Sequence, residues 1–169
     1  MQFAIRPGGE DDVVFLGLMI YEAAFHPERP RPPLDEALRL PHVARWVEGW
    51  GRAGDASVIA IEDGSRPVGA AWYRLFGRYE RGNEGFVDAA TPVLAVATAP
   101  DRRGRGIGGA LLTALMEQAR TVGFAALSLS VGGTNPATRL YERQGFVKVD
   151  GRGPRVWTMR AALRGTGVG

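Results

Sequence analysis

Between an alternating apolar run that stops at Pro100 and a helical run that begins at Ile107 lies Arg102-Arg103-Gly104-Arg105-Gly106-Ile107-Gly108-Gly109. The first backbone N–H groups of a helix have no intrahelical partners and carry partial positive charge. Glycines let that backbone approach a ligand closely, and the flanking arginines add full charges, so the segment reads as a phosphate-binding device. Its bland alternative is a surface turn, which needs neither the arginines nor this many glycines. The segment also demands a strand before it and a helix after it, which constrains everything downstream.

The rest of the chain is read from its periodicity. Phe3 to Arg6 form a short strand, Asp12 is placed to cap a helix, and Val13 to Phe25 are apolar enough for a largely buried one. The run from His26 to Pro33 is too rich in proline to be helical and makes a stiff loop. Pro41 then opens a helical part in which Val43, Trp46, Val47 and Trp50 share a face. Ser57–Glu62 and Pro67–Phe76 read as a hairpin turning at Asp63–Arg66, followed by a polar loop and a strand from Pro92 to Thr98. A helix from Ile107, capped by Gly123, a strand from Ala125 to Val131, a helix from Asn135-Pro136 to Gly145, and strands at Phe146–Val149 and Arg155–Arg160 complete the order. One mixed α/β domain over residues 1–163 is expected, with a disordered tail at 164–169.

Composition narrows the chemistry. A chain of 169 residues without cysteine has no disulfide scaffold, thiolate metal site or cysteine nucleophile, and two histidines, His26 and His42, build no His-rich metal site. The net charge of +3 is carried almost wholly by arginine, with Lys148 the single lysine. Its dense part is local, which suits one small polyanion better than a nucleic-acid duplex. No apolar run approaches the ~20 residues of a membrane span, and no secretory leader opens the chain, so a soluble, cytoplasmic protein is expected.

Three kinds of phosphate ligand could occupy such a segment. The P-loop pattern fails because no Gly-Lys-Ser/Thr follows the glycines. Gly104-x-Gly106-x-x-Gly109 satisfies the dinucleotide pattern literally. However, Pro100-Asp-Arg-Arg103 separates the strand from the first glycine, and the next strand ends in Val131-Gly-Gly-Thr-Asn135 without an acidic residue for a ribose. An NAD(P)-binding oxidoreductase is thus the remote alternative.

Arg103-x-x-Gly106-x-Gly108 resembles the pyrophosphate-binding motif of the GNAT-type acyl-CoA N-acyltransferases. Leu94-Ala-Val-Ala-Thr-Ala-Pro100 resembles that family's fourth strand, and Asn135-Pro-Ala-Thr-Arg-Leu-Tyr-Glu-Arg-Gln-Gly-Phe146 its second cofactor motif. With Ile5-Arg-Pro near the start, the likeness spans most of the chain. It implies a mostly antiparallel mixed sheet of about six to seven strands with about four helices, strands 4 and 5 splaying around the cofactor. It also implies transfer of an acetyl group from acetyl-CoA to a primary amine by direct attack in a ternary complex, without a metal, and a possible homodimer. The acceptor would be a small molecule or a peptide amine.

By the same resemblance, Val96 and Thr98 would offer backbone groups to the acyl carbonyl and pantetheine arm. Arg103, Gly104, Arg105, Gly106, Ile107, Gly108 and Gly109 would hold the pyrophosphate, Asn135 would bind the pantetheine, and Tyr141 would be general acid to the thiolate. Asn135 before Pro136 equally suits a helix cap, and the two roles are compatible. Tyr141 could instead be a core aromatic, and Arg139 and Arg143 read as a solvated face. For a base that deprotonates the amine, Glu22, Glu84 and Asp88 are candidates, with His26 the weaker one. Relatives of the pattern often carry glutamate where this chain has Val93. Its absence motivates a second reading, an acyl-CoA sensor without turnover. Tyr21, Trp72 and Arg74 are expected on the acceptor side, Trp72 and Arg74 sharing one face of their strand.

Overall fold

The computed structural model describes residues 2–25, 29–77, 84–152 and 155–163. Its strands are β1 (Phe3–Pro7), β2 (Ala56–Glu62), β3 (Arg66–Arg74), β4 (Val93–Thr98), β5 (Ala126–Gly132), β6 (Val147–Arg152) and β7 (Val156–Ala162). The helices are α1 (Val13–Ala24), α2 (Leu34–Ala37), α3 (Pro41–Ala44), α4 (Ile107–Val122) and α5 (Ala137–Arg143), with 3-10 turns at Glu10–Asp12 and Pro100–Arg102. The strands form one mixed sheet in the order β1-β2-β3-β4-β5-β7-β6, antiparallel except for the parallel β4–β5 neighbours. Every strand and both long helices fall where periodicity placed them. The expected tail at 164–169 lies outside the described residues.

The chain groups into two compact units, Met1–Arg74 with Ala95–Leu115, and Leu75–Leu94 with Met116–Gly169. In the first, β2 and β3 form a hairpin whose turn places Asp63 (φ 51°) and Gly64 (φ 79°) in the left-handed region, the twist that two-residue hairpin turns prefer. Asp12 does not cap α1 with its side chain. Its carboxylate instead pairs with Arg6 at 2.8 Å and accepts the Gly9 N–H at 2.8 Å, closing the turn ahead of the helix. The hydrogen bonds from Arg6 hold that carboxyl below the usual carboxylate range. Nor is α1 buried all round: Leu16, Gly17, Met19 and Ile20 face inward, whereas Val14 and Leu18 are exposed.

The second helical region is shorter than its spacing predicts. After the single turns α2 and α3, residues 45–50 continue as tight turns, with Trp46 N–H bonded to Val43 O and Trp50 N–H to Val47 O. The cause is Arg74. Its guanidinium donates to the carbonyls of Arg45 (2.9 Å), Glu48 (2.7 Å) and Gly49 (3.3 Å) and pairs with Asp55 at 2.9 Å, taking carbonyls that a longer helix would use itself. Gly49 at φ 63° completes the break. Val43 and Trp46 still reach the core, where Trp46 meets Trp72 edge to face at 6.2 Å.

Helix α4 packs on β3 across Gly69. A methyl group there would lie 3.0 Å from Leu111 Cδ1, 3.2 Å from Ile107 Cγ2 and 3.2 Å from Ala97 O. Leu111 and Ile107 are buried, so they have little room to withdraw. The second unit is held by β5–β7 and β6–β7 ladders and by the parallel pair Val93–Ser128. Ser128 Oγ donates to Gly85 O at 2.7 Å, and Gly85 at φ 86° has backbone of Leu129 and Ser130 where a side chain would go. Lys148 lies over the Trp157 ring at 4.6 Å.

Gly69→Val should lower stability by about 1–3 kcal/mol through overpacking against Ile107 and Leu111. A denaturant midpoint indistinguishable from the wild type would refute the close approach.

Candidate functional site: a glycine-arginine cradle and a buried tyrosine

Strand β4, whose residues from Ala95 on belong to the first unit, carries the chain from the interior to the surface. Val93, Leu94 and Ala95 are buried, whereas Val96, Ala97 and Thr98 are half-buried. The Ala99 N–H bonds to Val68 O at 2.8 Å, tying the exit of β4 to β3. A 3-10 turn at Pro100–Arg102 follows, and Arg102 Nε reaches both oxygens of buried Glu62 at 3.0 and 2.9 Å. That pair fixes the base of the next loop. Arg102 belongs to the basic segment read from the sequence, but its pairing with Glu62 was not legible there, because 40 residues separate them.

Arg103, Gly104, Arg105 and Gly106 are all exposed. Gly104 (φ 75°) and Gly106 (φ 81°) both adopt the left-handed conformation, yet a Cβ on either would meet no protein atom within 4 Å. The open space lies outside the protein, while the backbone conformation is what requires glycine. Helix α4 makes its first bond from Ala110 N–H to Gly106 O at 3.1 Å, so the N–H groups of Ile107, Gly108 and Gly109 precede its hydrogen-bonded turns. With Arg103 and Arg105 alongside, the donor set fits an anionic phosphate group such as that of a nucleotide-like cofactor.

Other expected site residues of this unit have structural partners. Glu22, on α1, sets its carboxylate between Arg31 (3.2 Å) and Arg103 (3.6 Å), so two cations occupy the face a base would use. Tyr21 donates its hydroxyl to Pro32 O at 2.8 Å, and Arg31 stacks over its ring at 4.4 Å. Nothing in the sequence marks Arg31, one of two arginines in a proline-rich loop, for this role. Trp72 and Arg74 are withdrawn from the acceptor side. Both side chains are wholly buried: the indole N–H bonds to Trp46 O at 3.3 Å, and the guanidinium is saturated as described above. The face of β3 that carries them is core.

In the second unit, Asn135 Oδ1 accepts the Ala137 N–H at 2.9 Å, so the capping role is realised at the start of α5. Tyr141 is buried, its ring 6.0 Å from Phe146, and burial pushes its hydroxyl up to about 12. Gly145 at φ 96° ends α5, and the Phe146 N–H returns to Tyr141 O at 3.0 Å, which locks this pair of aromatics. Asp88 folds its carboxylate into its own turn, accepting from Ala90 N–H and the Thr91 hydroxyl, both at 2.9 Å. Glu84 is exposed beside Gly85, and His26 lies outside the described residues. Val93 is buried. Among the described residues there is no cluster of His, Asp or Glu that could hold a metal, and no helix is long and apolar enough to cross a membrane.

The acetyltransferase (GNAT) family model matches residues 18–146, and the chain belongs to this family. It is 31% identical over 151 residues to the mycothiol acetyltransferase of Pseudarthrobacter chlorophenolicus, covering 87% of this chain and 43% of that protein. It is 33% identical over 159 residues to the mycothiol acetyltransferase of Acidimicrobium ferrooxidans, covering 93% and 46%. The chain thus spans less than half the length of the curated relatives it matches. Among solved structures, the ribosomal-protein-alanine N-acetyltransferase of Brucella melitensis superposes with a TM-score of 0.68 at 25% identity, over 94% of this chain and 99% of that one. The yncA structure of Salmonella typhimurium, which holds acetyl-CoA, gives a TM-score of 0.70 at 20% identity over 98% and 96%. The family assignment sets the dinucleotide reading aside.

Tyr141 ties stability to alkaline pH. With its native hydroxyl near 12 against about 10 unfolded, the neutral form is favoured by the fold. That contribution is intact below pH 10 and lost as pH rises towards 12. Unfolding midpoints of the wild type should therefore fall more steeply across that window than those of Tyr141→Phe; parallel curves would contradict the burial of the hydroxyl.

Proposed function

We propose that this domain transfers an acetyl group from acetyl-CoA to a primary amine by direct attack in a ternary complex. The observation that carries the reading is the pair of left-handed glycines, Gly104 and Gly106, opening onto free space at the start of α4 between Arg103 and Arg105. Bound acetyl-CoA supplies an activated thioester. The loop from Arg103 to Gly109 would hold its pyrophosphate, and the half-buried backbone at Val96 and Thr98 would serve the acyl and pantetheine portion. Asn135 keeps its amide nitrogen for the pantetheine while its oxygen caps α5.

Tyr141 would lie near the sulfur. A phenol near 12 facing a thiol of ~8.5 is the weaker acid by ~3.5 units, so full proton transfer is uphill by roughly 5 kcal/mol. Tyr141 thus serves by donating a hydrogen bond to the departing thiolate, with water taking the final exchange. The amine must arrive uncharged or lose its proton to a base. Of the candidates, Glu22 faces two arginines and Asp88 is spent on its turn, which leaves exposed Glu84, the weaker candidate His26 or a water relay. That poverty favours an acceptor with an appreciable free-amine fraction near neutrality. Its class, a small molecule or a peptide amine, is consistent with relatives named for mycothiol and for a ribosomal-protein alanine.

The buried Val93 favours one second reading, an acyl-CoA sensor that binds without turnover. Thiol release above background with any member of an amine panel excludes it.

Acetyl-CoA at about 100 times its dissociation constant should raise the unfolding midpoint by roughly 5–10 °C, with NAD(P)H inert. Gly106→Glu should abolish that shift by setting a carboxylate against the pyrophosphate. Gly106→Asn, which tolerates the left-handed backbone without adding charge, should keep much of it. An undiminished shift in the glutamate variant would refute the loop as the phosphate site. Tyr141→Phe should lower kcat by about tenfold with little change in the acetyl-CoA KM, following the modest scale of assistance to a good leaving group. An unchanged kcat would remove Tyr141 from the reaction.

A further inference from the structure

We infer that Glu22 is a positioning residue that couples the cofactor loop to the 29–33 segment by dividing one carboxylate between Arg103 and Arg31. The inference rests on the acetyl-CoA reading, which gives Arg103 a second anion to meet.

The geometry is unequal. Arg31 approaches both oxygens, Nη1 to Oε2 at 3.2 Å and Nη2 to Oε1 at 3.4 Å, in a forked pairing. Arg103 Nη2 stands 3.6 Å from Oε2, beyond hydrogen-bonding range, so charge alone holds it. Glu22 is largely covered, whereas the Arg103 side chain is 43% exposed and faces solvent from the loop. Two cations thus share one anion, and the loosely held one belongs to the phosphate cradle.

The other end of the device is equally specific. Tyr21 and Glu22 are consecutive on α1, and together they hold residues 31 and 32. Arg31 stacks on the Tyr21 ring at 4.4 Å, the Tyr21 hydroxyl donates to Pro32 O at 2.8 Å, and Glu22 takes the guanidinium. With prolines at 30, 32 and 33 the segment is stiff, so fixing Arg31 fixes the whole stretch. Phosphate binds arginine more strongly than a shared carboxylate does. A pyrophosphate in the cradle therefore draws Arg103 away and leaves Glu22 to Arg31 alone, tightening the segment. Linkage makes the effect reciprocal: what weakens the Arg31 pair strengthens the hold of Glu22 on Arg103 and opposes cofactor binding.

The two partners thus have opposite signatures, which a merely structural role would not produce. Calorimetric titration with CoA alone, without turnover, reads them directly. Glu22→Gln frees Arg103 and should tighten CoA binding by roughly two- to fivefold, the scale of a partly exposed ion pair. Arg31→Gln leaves the carboxylate wholly to Arg103 and should weaken binding by a similar factor. Both differences should shrink between ~0.05 and ~0.5 M salt, as screened charges require. CoA should also slow amide exchange at Arg31 and Leu34 in the wild type and not in Glu22→Gln. Weakened or unchanged CoA binding in Glu22→Gln, or two variants that shift the same way, overturns the coupling while the cofactor reading stands. A wild type that does not bind CoA overturns both.

Discussion

The missing side chain at Gly69 is the constraint from which the first unit is built. A helix can lie on a sheet at ordinary distance almost anywhere, but here Ile107 and Leu111 occupy the room that a side chain on the strand would need. That approach fixes where α4 begins, and therefore where its unpaired N–H groups are presented. The Ala99–Val68 bond and the Arg102–Glu62 pair then determine how the chain arrives at that point from β4. Only with entry and exit both set can a loop as exposed as Arg103–Gly106 have a defined shape. The path of the loop is thus set by its surroundings, since side chains at Gly104 and Gly106 would meet no protein atom.

The second unit reaches order by another route. There the paired strands β5, β6 and β7 supply the frame, and polar contacts satisfy backbone groups that the strands leave over. Ser128 satisfies the Gly85 carbonyl, and Asn135 satisfies the exposed start of α5. Tyr141 and Phe146 close the helix from its other end. A hydroxyl placed in such surroundings loses acidity because burial disfavours its charged form.

Much of this was legible in the sequence, for identifiable reasons. The strands, α4 and the glycine-arginine loop announce themselves by periodicity and by residues with a narrow range of uses, and the Asn135-Pro136 pair does the same for α5. Side-chain roles that depend on distant partners were hidden. Arg74 looks like a polar residue on a half-open strand until its partners are seen, 19 to 29 residues away in sequence. Likewise Glu22 reads as a candidate base until Arg31 and Arg103 converge on it. The helical spacing of Trp46 and Trp50 was genuine, but propensity gave way to a tertiary contact that captured the helix's carbonyls. Periodicity reports which residues face inward, whereas ion pairs and captured carbonyls depend on where separate segments meet.

That capture has an evolutionary consequence. Arg74 grips residues 45–49 through main-chain oxygens, which every amino acid presents alike. The side chain at 48 can therefore drift without disturbing the path of the loop, whereas Arg45 also donates to His42 O and lies over the Trp46 ring, and the backbone conformation of Gly49 excludes most replacements. Arg74 and Asp55 have no such freedom, since lysine offers no fork and a neutral residue strands its partner. Variation should accumulate on the loop's outer surface while the two residues beneath it stay fixed, so that the surface can acquire new contacts without a new fold.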